Sequence, residues 1–380
     1  MSAPLRIAVA CSGLGHIQRG IESWAADLAL ALRRSGADVT LFGGASMEGA
    51  VALPTFRRTE SPAIALARWL RHLGGWRYGM GSAYDVEQTS FAFNLWRRVR
   101  RRFDILHVQD PMIAIWLDRA NRVGLSRPKV IYANGTGENA SVMRRFSFLQ
   151  LLTQAAADDW QRLRPAGQMV FTIPNFIDTQ RFQPGDRAAA RERFGLPPDR
   201  TIILCCAAIR RFHKRIDSLT RAFAGMPSDA MLVIAGGREA DTEELIAEGT
   251  ALLGGRIRFL PNLPRDHMSD LYRAADAFVL PSLHEMFGIV LLEALATGLP
   301  VLCNDTPDFR AIVGGGGLYR DFSADGELEA GLACLLDPVT RGKLAKIGRA
   351  HVEQNFAETV VTGAITAMYQ SIQAAPLYVR

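Results

Sequence analysis

No apolar stretch of this 380-residue chain approaches the roughly 18–20 residues of a membrane span. The longest, "IILCCAAI" from Ile202 to Ile209, has the length of a buried strand. The opening "MSAPLRIAVACSG" carries too short an apolar stretch for a signal peptide. Cysteine is scarce: five residues, an odd number, with no metal-ligand spacing. Cys11, Cys205, Cys206 and Cys303 fall in strand-like segments and Cys334 in a helix-like one, so reduced, buried thiols in a cytoplasmic protein are expected. Asp-x-Asp, Gly-x-Ser-x-Gly and P-loop lysine motifs are all missing, which argues against an α/β-hydrolase or a P-loop ATPase. Low-complexity tracts and internal repeats of about 20–50 residues are missing too, which excludes a solenoid.

What is present describes a globular protein, 48% hydrophobic and 22% charged. Its length suits two domains of about 150–200 residues. Positive charge is concentrated. Ten arginines and three acids lie between Arg57 and Arg102, so this stretch carries +7 while the whole chain carries +6. A local excess of this kind marks a surface facing something anionic.

The chain opens as a βα unit: an apolar strand from Ile7 to Cys11, the loop "SGLGHIQRG", then a helix with Ile21, Trp24, Ala25, Leu28 and Leu32 at the 3.6-residue period. Further strands are predicted at 39–42, 105–108 and 129–133. After "VFTIPNFIDTQRFQP" the composition turns loop-like, which places a domain boundary near residue 182. The second half alternates strands at 201–207, 230–235, 256–260, 277–280 and 300–303 with helical patterns. Such alternation argues for an α/β fold of two Rossmann-like domains, 1–182 and 183–363, each with a parallel sheet. Ligands of open α/β sheets bind at the carboxyl ends of the strands.

One segment after a strand stands out. "HEMFGIVLLE" holds Glu285 and Glu293 eight positions apart. On a continuous helix that spacing is a rise of about 12 Å and a rotation of roughly 80°. Glycosidic hydrolysis wants two carboxyls roughly 5–9.5 Å apart, so this spacing suits two contacts to different parts of one long ligand. Gly288 allows close backbone approach, and a helix start offers free N–H groups to a phosphate.

The segment "ADAFVLPSLHEMFGIVLLEALATGLPVL" resembles the Glu-x7-Glu region of retaining glycosyltransferases of family 4, which have the GT-B fold, two Rossmann-like domains with parallel sheets facing across a cleft. "RGIESWAADLALALRRSGADVTLF" is similar to that family's first loop and helix, and "IPNFIDTQRFQP" to its inter-domain segment, with Phe176 where glycine is usual. "HKRIDSLTRAF" resembles its phosphate-binding lysine segment, and "DILHVQDP" its acceptor-side strand end, with Gln109 at the place of a second histidine. "CNDTPDFRAIV" departs from the family's usual pattern.

The resemblance implies roles. Glu285 would bind hydroxyls of the transferred sugar, and Glu293 the ribose of the nucleotide. Backbone N–H groups around Phe287, Gly288 and Ile289 would hold sugar or diphosphate. Lys214 matches the family's lysine; the family's arginine falls at Ile209 here, so Arg210 or Arg211 would supply the second cation on the departing diphosphate. Gly20, with Arg19 before it, aligns with the first-domain glycine motif. Main chain near Gly236 and Asn262–Leu263 would contact the base. His107 is either catalytic or a packed strand histidine. The implied activity is a retaining, hexosyltransferase-type reaction without metal or resident cofactor, in which a nucleoside-diphosphate sugar donates to a hydroxyl of a glycan, lipid or small molecule. A terminal helix over 364–380 would return to the first domain.

Two other readings stay open: a GT-B sugar-nucleotide epimerase, and a non-catalytic basic nucleic-acid-binding protein using "WRRVRRRF". The latter run lacks a nucleic-acid-binding fold signature, so no nucleic-acid partner is expected. The basic stretch carries a last expectation. "AIALARWLRHLGGW" reads as an amphipathic helix with Leu66, Trp69, Leu70 and Leu73 on one side and Arg68, Arg71 and His72 on the other. Together with the arginines at 97–102, it either rests on an anionic membrane surface, at the inner face of the membrane, or packs Trp69 into the core behind a solvated rim.

Overall fold

The structure is a computed structural model that describes residues 5–17, 20–135 and 137–376. It divides into two compact units, Met1–Pro174 with Thr362–Arg380, and Asn175–Val361.

The first unit holds β1 (Arg6–Cys11), β2 (Asp38–Gly43), β3 (Ala50–Ala52), β4 (Ile105–Val108), β5 (Lys129–Ala133), β6 (Phe148–Leu151) and β7 (Met169–Thr172). They form one parallel sheet in the order β3-β2-β1-β4-β5-β6-β7. Continuous apolar runs such as "IAVAC" suit strands covered on both faces. Ala8, Ala10, Leu106 and Val108 pack against Phe91, Leu95 and Val99 of helix Ala83–Val99 and Ile113 and Leu117 of helix Pro111–Arg122. On the other face lies the helix Gly20–Arg34, whose Trp24 meets the His107 ring edge-on at 5.1 Å.

The final helix, Glu358–Ala374, belongs to this unit from Thr362 onward. Ile365, Met368, Tyr369 and Ile372 are all buried. The Lys129 ammonium donates to the carbonyls of Ile372 and Gln373, both at 2.8 Å, a cation closing a helix C-terminus. The helix starts earlier than residue 364, and residues 377–380 lie outside the described residues.

The second unit holds β8 (Thr201–Cys206), β9 (Ala230–Gly236), β10 (Ile257–Pro261), β11 (Ala277–Leu280), β12 (Val301–Asn304) and β13 (Gly317–Arg320), parallel in the order β10-β9-β8-β11-β12-β13. Its core joins Ile203, Cys205, Leu232 and Ile234 to Leu219 and Phe223 of helix Ile216–Ala224.

The boundary falls after Pro174 and not near residue 182. The residues between these two points precede the loop-like stretch that suggested the boundary, and they pack on the second unit. Ile177 bridges to Ala357, the Phe182 ring meets Tyr272 at 5.9 Å, and Arg273 donates to the Gln183 carbonyl at 3.0 Å.

Helix Ser61–His72 forms where an amphipathic helix is expected, and of the two placements open to Trp69 the exposed one is found. Its packing face is built by small residues, Ala63 and Ala67, with Leu66, against Ala83 and Val86. Trp69 and Leu73 are therefore on the outside, 62% and 63% exposed, beside exposed Arg68, Arg71 and His72. The helix meets the first turn of helix Ala83–Val99, whereas the arginines at 97–102 close its other end, about 25 Å away by helix rise. The two are separate patches. Among the described residues no helix is long and apolar enough to cross a membrane. The five cysteines are unpaired; four are buried and Cys334 is half-buried.

His107 is fully buried on β4, its Nδ1 2.8 Å from the Tyr369 hydroxyl. Burial pushes its pKa down to about 3, so the folded protein holds a neutral ring. An unfolded histidine protonates near pH 6.5. Below that pH the unfolded chain binds a proton that the native state refuses, so stability falls as pH drops from about 6.5 toward 3. His107→Gln, which keeps a polar neighbour for Tyr369, is expected to make this acid loss shallower. Superimposable stability–pH curves for the two proteins would contradict that expectation.

Candidate active site

In the second unit the sequence-predicted residues gather at the carboxyl ends of four adjacent strands. The loop after β8 is tightly constrained. His213 and Arg215 adopt left-handed backbone with φ of 67° and 49°, and Lys214 sits between them. Left-handed conformations are costly for residues other than glycine, and such strain collects at functional sites. The loop is tied down by Thr242, whose hydroxyl donates to the Ile209 carbonyl at 2.8 Å, and by Asp241, which accepts the Arg211 N–H at 2.7 Å.

Lys214 reaches the end of β11 and pairs with Glu285. Both side chains are largely sheltered, so their charges meet with little screening. The two arginines beside Lys214 separate cleanly. Arg211 is committed to Glu248 and Glu244 on helix Thr242–Leu253. Arg210 forms no ion pair among the described residues; its guanidinium lies 6.0 Å from the exposed Phe212 ring.

Beyond Glu285 the chain passes Phe287, which is buried and edge-on to Phe356 at 6.2 Å. Its side chain anchors the loop and leaves only main chain available. Gly288 follows at φ 78°, where a side chain would be strained, and turns the chain into helix Ile289–Ala296. The N–H groups of Ile289 and Val290 come before the first bonded one, that of Leu291, which donates to the Gly288 carbonyl at 2.9 Å. Glu293 is half-buried on the helix, and its Oε2 accepts the Tyr272 hydroxyl at 2.7 Å. Tyr272 is fully buried, and burial, then the Cys206 and Glu293 charges, push its phenol far above the usual range. It stays a donor and fixes the carboxylate in place.

At the end of β9, Gly236 lies so close to β8 that a Cβ there would sit 1.7 Å from the Ala207 carbonyl oxygen. Asn262, left-handed at φ 54°, donates its N–H to the Gly236 carbonyl at 2.8 Å and accepts from the Arg238 N–H at 3.0 Å. Leu263, half-exposed, follows it. Lys214, Arg210, Gly236, Leu263 and the segment from Glu285 to Glu293 thus share one end of one sheet. Among the described residues no cluster of three or more His, Cys, Asp or Glu is placed to hold a metal ion.

In the first unit the picture changes. His107 is corrected from a catalytic candidate to a packing residue, because it exposes no atom and is clasped by Trp24 and Tyr369. Gly20 opens helix Gly20–Arg34 with empty space around it, while Arg19 lies outside the described residues. The ends of β1 and β4 carry instead a buried polar group that the sequence did not reveal. Arg58 donates to Glu87 from Nε at 3.0 Å and Nη2 at 2.6 Å, and lies 3.8 Å from Glu22 and 4.0 Å above the Tyr84 ring. Burial pushes the Glu87 carboxyl up, but the bonds from Arg58 outweigh it and hold the carboxyl below its ordinary value. His16 Nε2 meets the same carboxylate at 3.1 Å. Tyr84 donates to buried Asp110 at 2.7 Å, and Asp110 also accepts the Ser12 N–H at 2.9 Å. Gly13 is what admits this group: a Cβ there would lie 2.1 Å from Glu22 Oε1.

Comparison with known proteins agrees with this architecture in both units. Residues 18–181 match the model of Glycosyltransferase Family 4, and residues 186–346 that of Glycosyl transferases group 1. The D-inositol 3-phosphate glycosyltransferase of Acidothermus cellulolyticus is 33% identical over 216 residues, 53% of this chain and 48% of that protein. The D-inositol 3-phosphate glycosyltransferase 1 of Catenulispora acidiphila is 30% identical over 226 residues, 54% of this chain and 52% of that protein. The chain thus spans about half the length of these curated relatives. Among solved structures, a sucrose-phosphate synthase from Thermosynechococcus elongatus superimposes with a TM-score of 0.75 at 19% identity, over 98% of this chain and 100% of that one. Anabaena Alr3699/HepE in complex with UDP-glucose does so with a TM-score of 0.75 at 16% identity, over 97% and 100%. With two parallel-sheet Rossmann-like units and family matches that together run from residue 18 to residue 346, the chain belongs to glycosyltransferase family 4 and has the GT-B fold.

Proposed function

We propose that this protein is a retaining glycosyltransferase that takes a hexosyl group from a nucleoside-diphosphate sugar and delivers it to an acceptor hydroxyl. The observation that carries the reading is the Lys214–Glu285 pair at the ends of β8 and β11, beside the unpaired Arg210 and the N-terminus of helix Ile289–Ala296. Support for the donor comes from the Anabaena protein, whose structure contains UDP-glucose.

In this reading Glu293, held by Tyr272, accepts hydrogen bonds from the ribose diol. Lys214 and Arg210 face the diphosphate, together with N–H groups around Phe287, Gly288 and Ile289. Glu285 takes the sugar hydroxyls once Lys214 turns to phosphate. Main chain at Gly236 and Leu263 borders the base. The anomeric C–O bond to the diphosphate breaks as the acceptor oxygen bonds to the same face of an oxocarbenium-like centre. The acceptor proton passes to the departing diphosphate oxygen. Fixed cations aimed at the charge that develops there lower the barrier, and because Lys214 and Arg210 supply that charge, chelators are expected to leave turnover unchanged. The acceptor is a glycan, lipid or small molecule.

Lys214→Ala and Glu293→Ala are each expected to weaken donor use. Losing a hydrogen bond to a charged group is worth about 1.5–3 kcal/mol, roughly ten- to a hundredfold. The check is release of nucleoside diphosphate that depends on added acceptor, which also separates transfer from epimerisation. Wild-type turnover in both variants would overturn the assignment.

A peripheral membrane position forms the second part of the proposal. Trp69 and Leu73 stand exposed on helix Ser61–His72 and just past it, among exposed Arg68, Arg71 and His72, a composition suited to an anionic bilayer interface. Co-sedimentation with phosphatidylglycerol vesicles is expected to fall with added salt and with the pair Trp69→Ser and Leu73→Ser. A wild-type protein that stays in the supernatant at low salt would rule this out.

A further inference from the structure

The first unit carries a groove of about 280 Å³ far from the ends of β1 and β4 described above. It exists because helix Ala83–Val99 covers the middle strands and leaves β2 uncovered next to the three-residue edge strand β3. Asp38, Thr40 and Phe42 alternate along β2 and so point to one face. Arg6 stands beside Asp38 in register. The opposite wall is Arg98 on the last turn of the helix with Arg102 and Phe103 in the turn after it. Phe103 meets Phe42 edge-on at 5.7 Å and closes an apolar floor.

The arginines at this helix end are not alike. Arg97 lies over the Phe93 ring at 6.0 Å and Arg100 over the Trp96 ring at 4.7 Å. Arg98 on the last turn of the helix and Arg102 in the turn that follows it have side chains with no ion pair, hydrogen bond or ring contact among the described residues, and both line the groove. Favourable interaction with the helix dipole accounts for cations in a last turn. It does not account for two guanidinium groups without an ion pair lining one cavity together with Arg6, whose own Nε lies 3.6 Å from Asp104, when the cavity's one lining acid is Asp38. Guanidinium forks match phosphate oxygens bidentately. Asp38 and Thr40 offer an acceptor and a hydroxyl to hydroxyl groups nearby.

We propose that this groove binds a small phosphomonoester of a hydroxylated molecule, with the phosphoryl group between Arg98 and Arg102 and the hydroxyls toward Asp38 and Thr40. The site is independent of the donor-binding reading, since it lies in the other unit and uses none of its residues.

Calorimetric titration of the full chain at low ionic strength tests it with three probes: glycerol phosphate, inorganic phosphate and glycerol. Glycerol phosphate is expected to bind at one site and more tightly than inorganic phosphate, while glycerol gives no heat. The double variant Arg98→Gln, Arg102→Gln is expected to lose at least about tenfold in affinity while unfolding at the wild-type temperature. Lys214→Ala is expected to bind as the wild type does. Any of four results overturns the proposal: no binding of glycerol phosphate up to about 10 mM, equal binding of inorganic phosphate, unchanged affinity in the double variant, or loss of binding in Lys214→Ala.

Discussion

The ion pair between Lys214 and Glu285 ties the loop after β8 to the loop after β11, two neighbouring central strands of the second unit. Much of the candidate site takes its place from that bond. It fixes the end of a loop whose flanking residues, His213 and Arg215, are held in left-handed backbone. It also sets the start of the turn that Gly288 completes into helix Ile289–Ala296. Without a ligand, each charge neutralises the other in a partly sheltered place. A diphosphate competing for the ammonium would release the carboxylate for sugar hydroxyls, so one exchange of partners readies both groups.

Charge is managed differently in the two units. In the second, arginines are matched to acids: Arg187 and Arg191 with Asp276, Arg193 with Asp270, Arg310 with Asp305, Arg349 with Glu353. In the first, the arginines from Arg97 to Arg102 form no ion pair with any described residue, and Arg68 and Arg71 stand exposed. Unmatched guanidinium groups are held on the surface of the first unit, while the second unit pairs its cations internally and, among the described residues, leaves Arg210 without an ion pair at one strand end.

Local patterns in the sequence were legible, and long-range ones were not. β4, β5 and β11 end where their apolar runs end, because a buried parallel strand is written in consecutive residues. Glu285 and Glu293 were legible for the same reason, since strand, turn and helix lie within one short segment. β6 escaped because the polar Gln150 interrupts it, and β13 because it opens on glycine. The domain boundary was misplaced because the contacts that recruit Phe182 come from Tyr272, ninety residues on. His107 is decided by Tyr369, 262 positions away. The Arg58–Glu87–Glu22 group joins a loop and two helices with no common motif, so nothing in the sequence pointed to it. Trp69 faces solvent because two alanines, not the bulky residues, make the packing side of its helix.

The central claim is that Glu285 holds Lys214 until a diphosphate replaces it. Titration of a nucleoside diphosphate, without sugar, into wild-type protein and Glu285→Gln measures that exchange directly. Removing the carboxylate leaves the ammonium unneutralised, so the diphosphate should bind the variant about fivefold more tightly, equivalent to about 1 kcal/mol for a partly exposed ion pair. The parent nucleoside, carrying no phosphate, should bind both proteins alike. Equal or weaker binding of the diphosphate to Glu285→Gln would contradict the account.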